Sequence, residues 1–291
     1  YNQLRMITGH MGRLLARQSS LKKRIREHLK DLLKEAGHLR PDGDEERTSK
    51  AIHKTRVLSR RLEALVGLLG GPKRDESFDK ALKRYKKVRK ALGKIREYDV
   101  HRGHWAESTK GRSYFAAVDK EIARKRGKAL ERFFSEFQWS GLRKAARKLG
   151  KAVEARGAGA PTSQAEGRRR LQHLVAKVVQ DREIHEVRLD VKKIRYTLEG
   201  LEALAGSRKS ESRNLTFLKE LQSELGLIND LELIVRFLRK LRRKRADRWD
   251  HATSAAVEKT ADDLEGRLTE ERHRWNKLWP ERRKKMREIV G

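Results

Sequence analysis

Apolar residues recur at helical spacing through most of the 291-residue chain. Near the start the series comprises Leu14, Leu15, Leu21, Ile25, Leu29, Leu32 and Leu33. This spacing places apolar side chains on one face of an α-helix and polar side chains on the other. No run of alternating β-branched residues indicates a sheet. The pattern therefore predicts an all-α protein.

Glycine and proline divide this pattern into separate helices. Residues 37–44 (GHLRPDGD) interrupt the first helical stretch, and Gly70-Gly71-Pro72 ends the second. Later helices are predicted from Ser77 to about Arg102, from Ser113 to Gln138, from Ser210 to Arg245 and from about Arg248 onward, with a break near Gly206 and a kink or restart at Pro280. The segment 156–167 is predicted to connect a first half, about 1–155, to a second half, about 165–291.

Two pairs of similar segments indicate that the chain contains one unit twice. IHKTRVLSRRLEAL at 52–65 and IHEVRLDVKKIRYTL at 184–198 share an Ile-His start, an Arg three places after the His, and a basic pair four places later. KALGKIREYDV at 90–100 and SELGLINDLEL at 223–233 align with nearly the same offset, about 130 residues. A repeated offset of this kind favours an internal duplication.

The first pair of segments predicts helices that pack on one face and present charge on another. At about 100° per residue, one arc of roughly 80° contains His185, Arg188, Lys192 and Arg195. A separate apolar sector contains Val187, Ile194, Leu198 and Leu201. In the first copy the charged arc holds His53, Arg56 and Arg60, and Glu63 stands where the second copy has Arg195.

Charge composition favours an anionic partner. The chain has 73 Lys plus Arg against 41 Asp plus Glu, a formal net charge of +32. A solvated helical surface explains many single charges but not so large an excess of one sign. Cysteine is absent, which excludes disulfides and Cys-based metal sites and is compatible with a cytoplasmic location. No apolar stretch is long enough to span a bilayer, so no membrane association is expected.

An H-x-x-R-x-x-x-[RK]-[RK]-[LI] helix followed by an L-G-x-[IL]-[RN]-[DE] segment, both occurring twice, resembles the CHAD domain. This family is named for its conserved histidines and α-helical fold, and the resemblance covers essentially the whole chain. It implies a single domain of two pseudo-symmetric helical bundles that enclose a basic central cavity or groove. It also implies binding of inorganic polyphosphate, often at polyphosphate granules, with granule-associated proteins as further partners.

The resemblance also implies which residues bind the polyphosphate. Its motifs fall on His53, Arg56, Arg60, Arg61, Arg96, His185, Arg188, Lys192, Lys193, Arg195, Tyr196 and Asn229. By helical position, two further basic stripes are expected to line the cavity: Lys83, Lys87 and Lys90, and then Arg236, Arg239 and Lys240 with Arg243. Glu97 stands where the family usually has Asp, and Glu63 where a basic residue is common. We therefore do not expect the two walls to be fully symmetric.

The chemistry of these side chains suits a phosphate polymer. Polyphosphate carries about one negative charge per internal phosphate and offers no bases, so its binding rests on charge, hydrogen bonds and counterion release. Arg grips two phosphate oxygens with its planar fork, while Lys acts as an adaptable point charge. A dense anion nearby would raise the pKa of a His and favour its cationic form. His53 and His185 would then act as cations, or else as positioning groups.

Enzymatic functions have little support, and nucleic acid remains the alternative partner. The sequence has neither a G-x-x-x-x-G-K-[ST] phosphate loop nor a serine-nucleophile turn, and His101 and His104 lack an evident third metal ligand. We expect no enzyme activity, cofactor or metal. Any strongly basic helical protein binds nucleic acid at low salt. However, no groove-reading motif is present, and the tryptophans are scattered as expected for core residues: Trp105, Trp139, Trp249, Trp275 and Trp279.

Overall fold

The computed structural model describes residues 2–40, 43–70, 76–109, 111–112, 114–155, 163–180, 182–205 and 212–290. These residues form nine α-helices and no strand. The helices are α1 (Asn2–Gly37), α2 (Glu45–Gly70), α3 (Glu76–Thr109), α4 (Phe115–Glu136), α5 (Trp139–Ala155), α6 (Ser163–Val178), α7 (Ile184–Leu204), α8 (Arg213–Arg245) and α9 (His251–Glu288). The all-α prediction is confirmed.

Several helix ends agree with the glycine and proline signals. The break at residues 37–44 separates α1 from α2, and α2 ends at Gly70. In contrast, α6 begins at Ser163, so the last residues of the predicted connection 156–167 are helical. The remaining part of that connection, residues 156–162, lies outside the described residues, as do Gly206, Ser210 and Ser113.

Two helices, one in each half of the chain, differ from the sequence prediction. Helix α5 was not predicted, because Gly141 and Gly150 weaken its helical signal, yet its side chains Leu142, Ala145, Ala146, Leu149 and Val153 are buried at helical spacing. Helix α9 continues through Pro280 rather than restarting there. Trp275 and Met286 are buried on either side of the proline, so packing holds both parts of α9 in one helix.

The helices of each half pack in chain order. In the first half α1 contacts α2, α2 contacts α3 and α3 contacts α4, and α5 packs on α1 and α3. In the second half α6 contacts α7, α7 contacts α8 and α8 contacts α9. The halves meet where α2 lies against α7 and α3 against α8. Both helices that carry the His motif therefore lie side by side, while the two-fold symmetry of the halves stays a prediction.

The contact between α2 and α7 is close. A Cβ atom at Gly200 of α7 would lie 2.6 Å from Cδ1 of Leu68, which is buried on α2. The predicted apolar sector of α7 is buried as expected, with Val187, Ile194 and Leu198 in the core. Because apolar side chains fill one sector of α7, its charged sector is left to face the space between the halves.

A buried ion-pair cluster joins α2, α3 and α4. The Nε atom of Arg126 donates a hydrogen bond to Oδ1 of Asp99 at 2.6 Å, and the hydroxyl of Ser49 donates to Oδ2 at 2.8 Å. Nearby, Arg102 of α3 donates to Asp119 at 2.7 Å and to Glu45 at 2.8 Å. These bonds fix the orientation of α3, which carries one wall of the site described below.

The tryptophans belong to the core. Trp105 and Trp275 are buried, and the indole Nε1 of Trp105 donates a hydrogen bond to the carbonyl of Phe115 at 3.1 Å. Trp139, Trp249 and Trp279 are partly buried against the same core. Among the described helices, none combines the length and the hydropathy that crossing a membrane would require.

Candidate functional site

A cavity of about 380 Å³ lies between α2, α3, α7 and α8, and we call it the central cavity. Its basic lining residues are His53, Arg56, Arg60, Arg96, His101, Arg188 and Lys192. Tyr196, Asn229 and Gln222 also line it, together with the carboxylates of Glu97 and Asp230. All four motif segments contribute side chains. Residues that are about 130 positions apart in the sequence thus meet in one cavity.

Cations in the central cavity lack close counter-ions. Within the described part of the chain, no carboxylate forms an ion pair with Arg96, Arg188 or Lys192. The Nε atom of Arg188 is buried without a hydrogen-bond partner. Burial lowers the pKa of Arg188, and the charge of Asp230 opposes this effect. Such desolvated cations are costly, and a bound anion would relieve that cost.

The pKa of Lys192 is lowered strongly by burial among other cations. Burial, followed by the charges of Arg188 and Arg60, lowers the pKa of Lys192 to about 7. An unperturbed lysine has a pKa of about 10.4. Lys192 therefore changes charge near neutral pH in the absence of a ligand.

Gly93 makes room for Arg56 against α3. The Nη1 atom of Arg56 donates a hydrogen bond to the carbonyl of Arg89 at 2.6 Å. A Cβ atom at position 93 would lie 2.5 Å from that nitrogen. At Gly226, the matching glycine of the second half, a Cβ atom would meet nothing within 4 Å. The two L-G segments therefore serve different local purposes.

The two motif histidines occupy different environments. His53 lines the central cavity, where burial and the charges of Arg96 and Arg56 lower its pKa. His185 is exposed and does not line the cavity. In the ligand-free protein His53 is thus mainly neutral at neutral pH. The predicted rise of its pKa beside a dense anion concerns the bound state.

Three other cations of the motif helices lie outside the central cavity. Arg61 donates a hydrogen bond to Glu199 at 3.0 Å. The guanidinium of Arg195 lies 4.6 Å from the centre of the Tyr196 ring, also near Glu199. Lys193 pairs with Asp190 at 2.6 Å. Carboxylates of α7 thus engage residues that the motif alone would assign to the ligand.

The predicted stripe of Lys83, Lys87 and Lys90 is exposed and also lies outside the cavity. Helix α3 faces the cavity with Gly93, Arg96 and Val100. Towards the N-terminus of α3, Arg89 and Lys86 lie on the same side of the helix as these residues. Lys87 is rotated from Lys86 by about 100°, which turns it towards solvent. The sequence identified the basic segment correctly but assigned the wrong face.

The predicted stripe on α8 is separated from the central cavity by an aromatic cluster. The ring of Phe237 packs 4.8 Å from His101 and 6.2 Å from Tyr98, measured between ring centres. The predicted cations lie beyond it: Arg236 pairs with Glu232, Arg239 pairs with Asp262 and Glu265 of α9, and Lys240 and Arg243 are exposed. These residues do not line the central cavity.

A second, smaller cavity of about 300 Å³ adjoins the first, and we call it the side pocket. It shares Arg60, Lys192 and Tyr196 with the central cavity. Its other charged lining residues are Glu63, Lys86, Arg89, Arg170 and Lys193. Lys193 is therefore the one predicted site residue that lies in the side pocket but not in the central cavity.

Comparison with known proteins decides the family. The CHAD domain model matches residues 23–239, which include all four motif segments. The chain belongs to the CHAD domain family. Its fold is similar to that of the crystal structure of the CHAD domain from the plant Ricinus communis, with a TM-score of 0.58 and 21% identity over 87% of this chain and 86% of that one. A comparison with curated proteins gave no match.

Within this CHAD domain, the sequence analysis missed some lining residues. Gln222 lies one turn before Gly226 on the same face of α8, and its side-chain oxygen is buried without a hydrogen-bond partner. The spacing of four residues from Gly226 could have identified it. Glu97 and Asp230, which occupy matching positions in the two L-G segments, also line the central cavity. Asp230 acts on Arg188, Lys192 and His104 through its charge.

Proposed function

We propose that this CHAD domain binds inorganic polyphosphate in its central cavity and performs no catalysis there. The observation that carries the proposal is the group of Arg56, Arg60, Arg188 and Lys192, whose charges are partly desolvated and crowded together. A chain of phosphates would supply the missing negative charge and accept charge-assisted hydrogen bonds from these groups.

Two properties of the site favour a phosphate polymer over a nucleotide chain. The central cavity has a volume typical of small-ligand sites, and a double helix cannot enter it. The aromatic rings at or near it already contact other side chains: Tyr98 packs against Phe237, and Tyr196 lies against the guanidinium of Arg195. No platform for stacking bases is thus present among the described lining residues.

Nucleic acid would use a different surface. Exposed cations such as Lys83, Lys87 and Lys240 lie away from the central cavity. They are suited to loose, salt-dependent contacts with any polyanion. The two candidate ligands should therefore respond to different substitutions, which makes the proposal testable.

Two variants, each with four basic side chains replaced, provide the test. The cavity variant combines Arg56→Gln, Arg60→Gln, Arg188→Gln and Lys192→Gln, and the surface variant combines Lys83→Gln, Lys87→Gln, Lys90→Gln and Lys240→Gln. Affinity would be measured by fluorescence-anisotropy competition among long-chain polyphosphate, tripolyphosphate, and single- and double-stranded DNA at near-physiological salt. The ligands would be matched for total phosphate.

The cavity variant is expected to lose about a hundredfold in polyphosphate affinity, since several charge-assisted hydrogen bonds are removed together. The surface variant should stay within about threefold for polyphosphate and lose affinity mainly for DNA. Circular dichroism should show unchanged helicity in both. Equal losses in the two variants would indicate generic charge and favour nucleic acid as the partner.

Association with cytoplasmic polyphosphate granules is part of the proposal. A fluorescent fusion of the wild-type chain is expected to form foci in cells that contain polyphosphate granules and to remain diffuse in cells depleted of polyphosphate. The cavity variant should remain diffuse in both. Foci formed by the cavity variant would mean that another surface recruits the protein.

A further inference from the structure

The side pocket is lined by one negatively charged side chain, that of Glu63. Glu63 lies among basic side chains on the wall between α2, α3 and α7, and among the described lining residues it supplies the only carboxylate. Its Oε1 atom pairs with Nζ of Lys86 at 2.9 Å, and its Oε2 atom with Nη1 of Arg89 at 2.9 Å. One carboxylate thus engages two cations of α3.

Glu63 is ionised at neutral pH. Burial alone would raise the pKa of Glu63, but hydrogen bonds from Lys86 and Arg89 and their charges outweigh burial and lower it. The side pocket therefore contains a fixed negative charge in a space of about 300 Å³. In the second copy of the motif the matching position is Arg195, so this charge belongs to one half of the protein alone.

The two cavities are continuous in their lining. Arg60, Lys192 and Tyr196 face both of them, so an anion bound in the central cavity already contacts the wall of the side pocket. Apart from the shared residues, the cations that line the side pocket are Lys86, Arg89, Arg170 and Lys193. A polyanion that extended towards Lys86 and Arg89 would meet the Glu63 carboxylate. The polyanion would then either displace this carboxylate from the two cations or be repelled by it.

Building on the proposed function, we infer that the side pocket is a second phosphate subsite that the Glu63 carboxylate keeps occupied, and that Glu63 thereby limits the length of polyphosphate bound. Short chains fill the central cavity and do not reach Glu63. Long chains enter the side pocket only as far as Arg60 and Lys192. The substitution Glu63→Gln frees Lys86 and Arg89 for additional phosphates.

The test compares long-chain polyphosphate with tripolyphosphate on Glu63→Gln. We expect long-chain affinity to increase roughly tenfold, while tripolyphosphate affinity changes by less than about twofold. Glu46→Gln adds the same unit of net charge at an exposed site, where Glu46 pairs with Lys50, and should leave both affinities unchanged. Adding Lys86→Gln to Glu63→Gln should remove the gain.

Glu63→Asp keeps the charge and should keep the wild-type preference for chain length, which separates loss of charge from loss of packing. The inference is overturned if Glu63→Gln tightens both ligands equally, if it tightens neither, or if the gain persists with Lys86→Gln. If polyphosphate binding instead survives in the cavity variant, the proposed function fails and the inference fails with it. Loss in the cavity variant together with no effect of Glu63→Gln overturns the inference alone.

Discussion

The ammonium group of Lys192 lies among Arg188, Arg60 and Arg56, and Asp230 is the carboxylate whose charge acts on it. With a pKa of about 7, Lys192 is partly neutral in the free protein at neutral pH. A phosphate beside it would stabilise the charged form and raise that pKa. Polyphosphate binding should then take up a proton at and above neutral pH.

Affinity for long-chain polyphosphate is therefore expected to fall as the pH rises from about 7 to about 9, by at most about tenfold per pH unit for one proton. Lys192→Arg should flatten this dependence, because a guanidinium keeps its charge in this range. Anisotropy titrations at fixed ionic strength would measure the dependence. An equally steep dependence in Lys192→Arg would assign the titration to another group.

His53 would contribute on the acidic side. Its pKa is lowered in the free protein, so it gains a proton only below the usual histidine range. Because a bound phosphate chain raises this pKa, His53→Gln should flatten the pH dependence of affinity between the lowered pKa of the free state and the raised pKa of the bound state, and Lys192 should determine the slope at higher pH. A change confined to the range above pH 7 would contradict this assignment.

At the scale of helices, the placement of α3 against α2 depends on Gly93 and Arg56. Gly93→Ala would place a methyl group 2.5 Å from the Arg56 guanidinium and displace it from the carbonyl of Arg89. Because the guanidinium is the end of a flexible side chain, we expect little change in stability but several-fold weaker polyphosphate binding. Gly127→Ala on α4 is the control, since its Cβ would meet nothing within 4 Å. It should raise the free energy of unfolding by up to about 1 kcal/mol and leave affinity unchanged.

The cluster around Asp99 joins three helices and should dominate the stability of the first half. Asp99→Ala removes the closer of the two carboxylates that pair with Arg126, whose side chain is only 8% exposed, and leaves this buried charge with Glu45 at 3.4 Å. We expect a loss of about 3 kcal/mol in the free energy of unfolding, measured by urea denaturation. Glu46→Ala, which breaks the exposed pair with Lys50, should cause a much smaller loss. Similar losses in the two variants would show that burial does not strengthen the Asp99 pair.

The sequence predicted the helices better than it predicted their orientation. Periodicity and glycine signals located most helices, and the angular argument placed Arg188 and Lys192 on the same face, which does line the cavity. Periodicity cannot show which turns of a long helix lie opposite another helix. Lys87 was therefore predicted to line the cavity in preference to Lys86, and Lys240 was predicted to continue the wall beyond Phe237. Those distinctions depend on how α3 and α8 cross, which is set by tertiary packing.

At the scale of the whole molecule, the net charge of +32 acts on every polyanion, whereas the central cavity acts on those that can enter it. Many surface cations are paired with carboxylates, as Arg236 is with Glu232. The remaining exposed charges are screened beyond about 10 Å at 0.1 M salt. Buried charges such as Arg188 are screened much less. Salt should thus separate the two modes of binding.

Affinity for double-stranded DNA is expected to fall steeply between 0.1 and 0.5 M salt, because exposed contacts depend on counterion release at each neutralised phosphate. Affinity for polyphosphate should also fall, but less, because hydrogen bonds to desolvated Arg56, Arg60 and Arg188 persist when long-range attraction is screened. The ratio of polyphosphate affinity to DNA affinity should therefore increase with salt in the wild type and in the surface variant. In the cavity variant this ratio should remain nearly constant. Anisotropy titrations of both ligands over this salt range would measure it. A constant ratio in the wild type would mean that the central cavity adds nothing to the attraction of the surface.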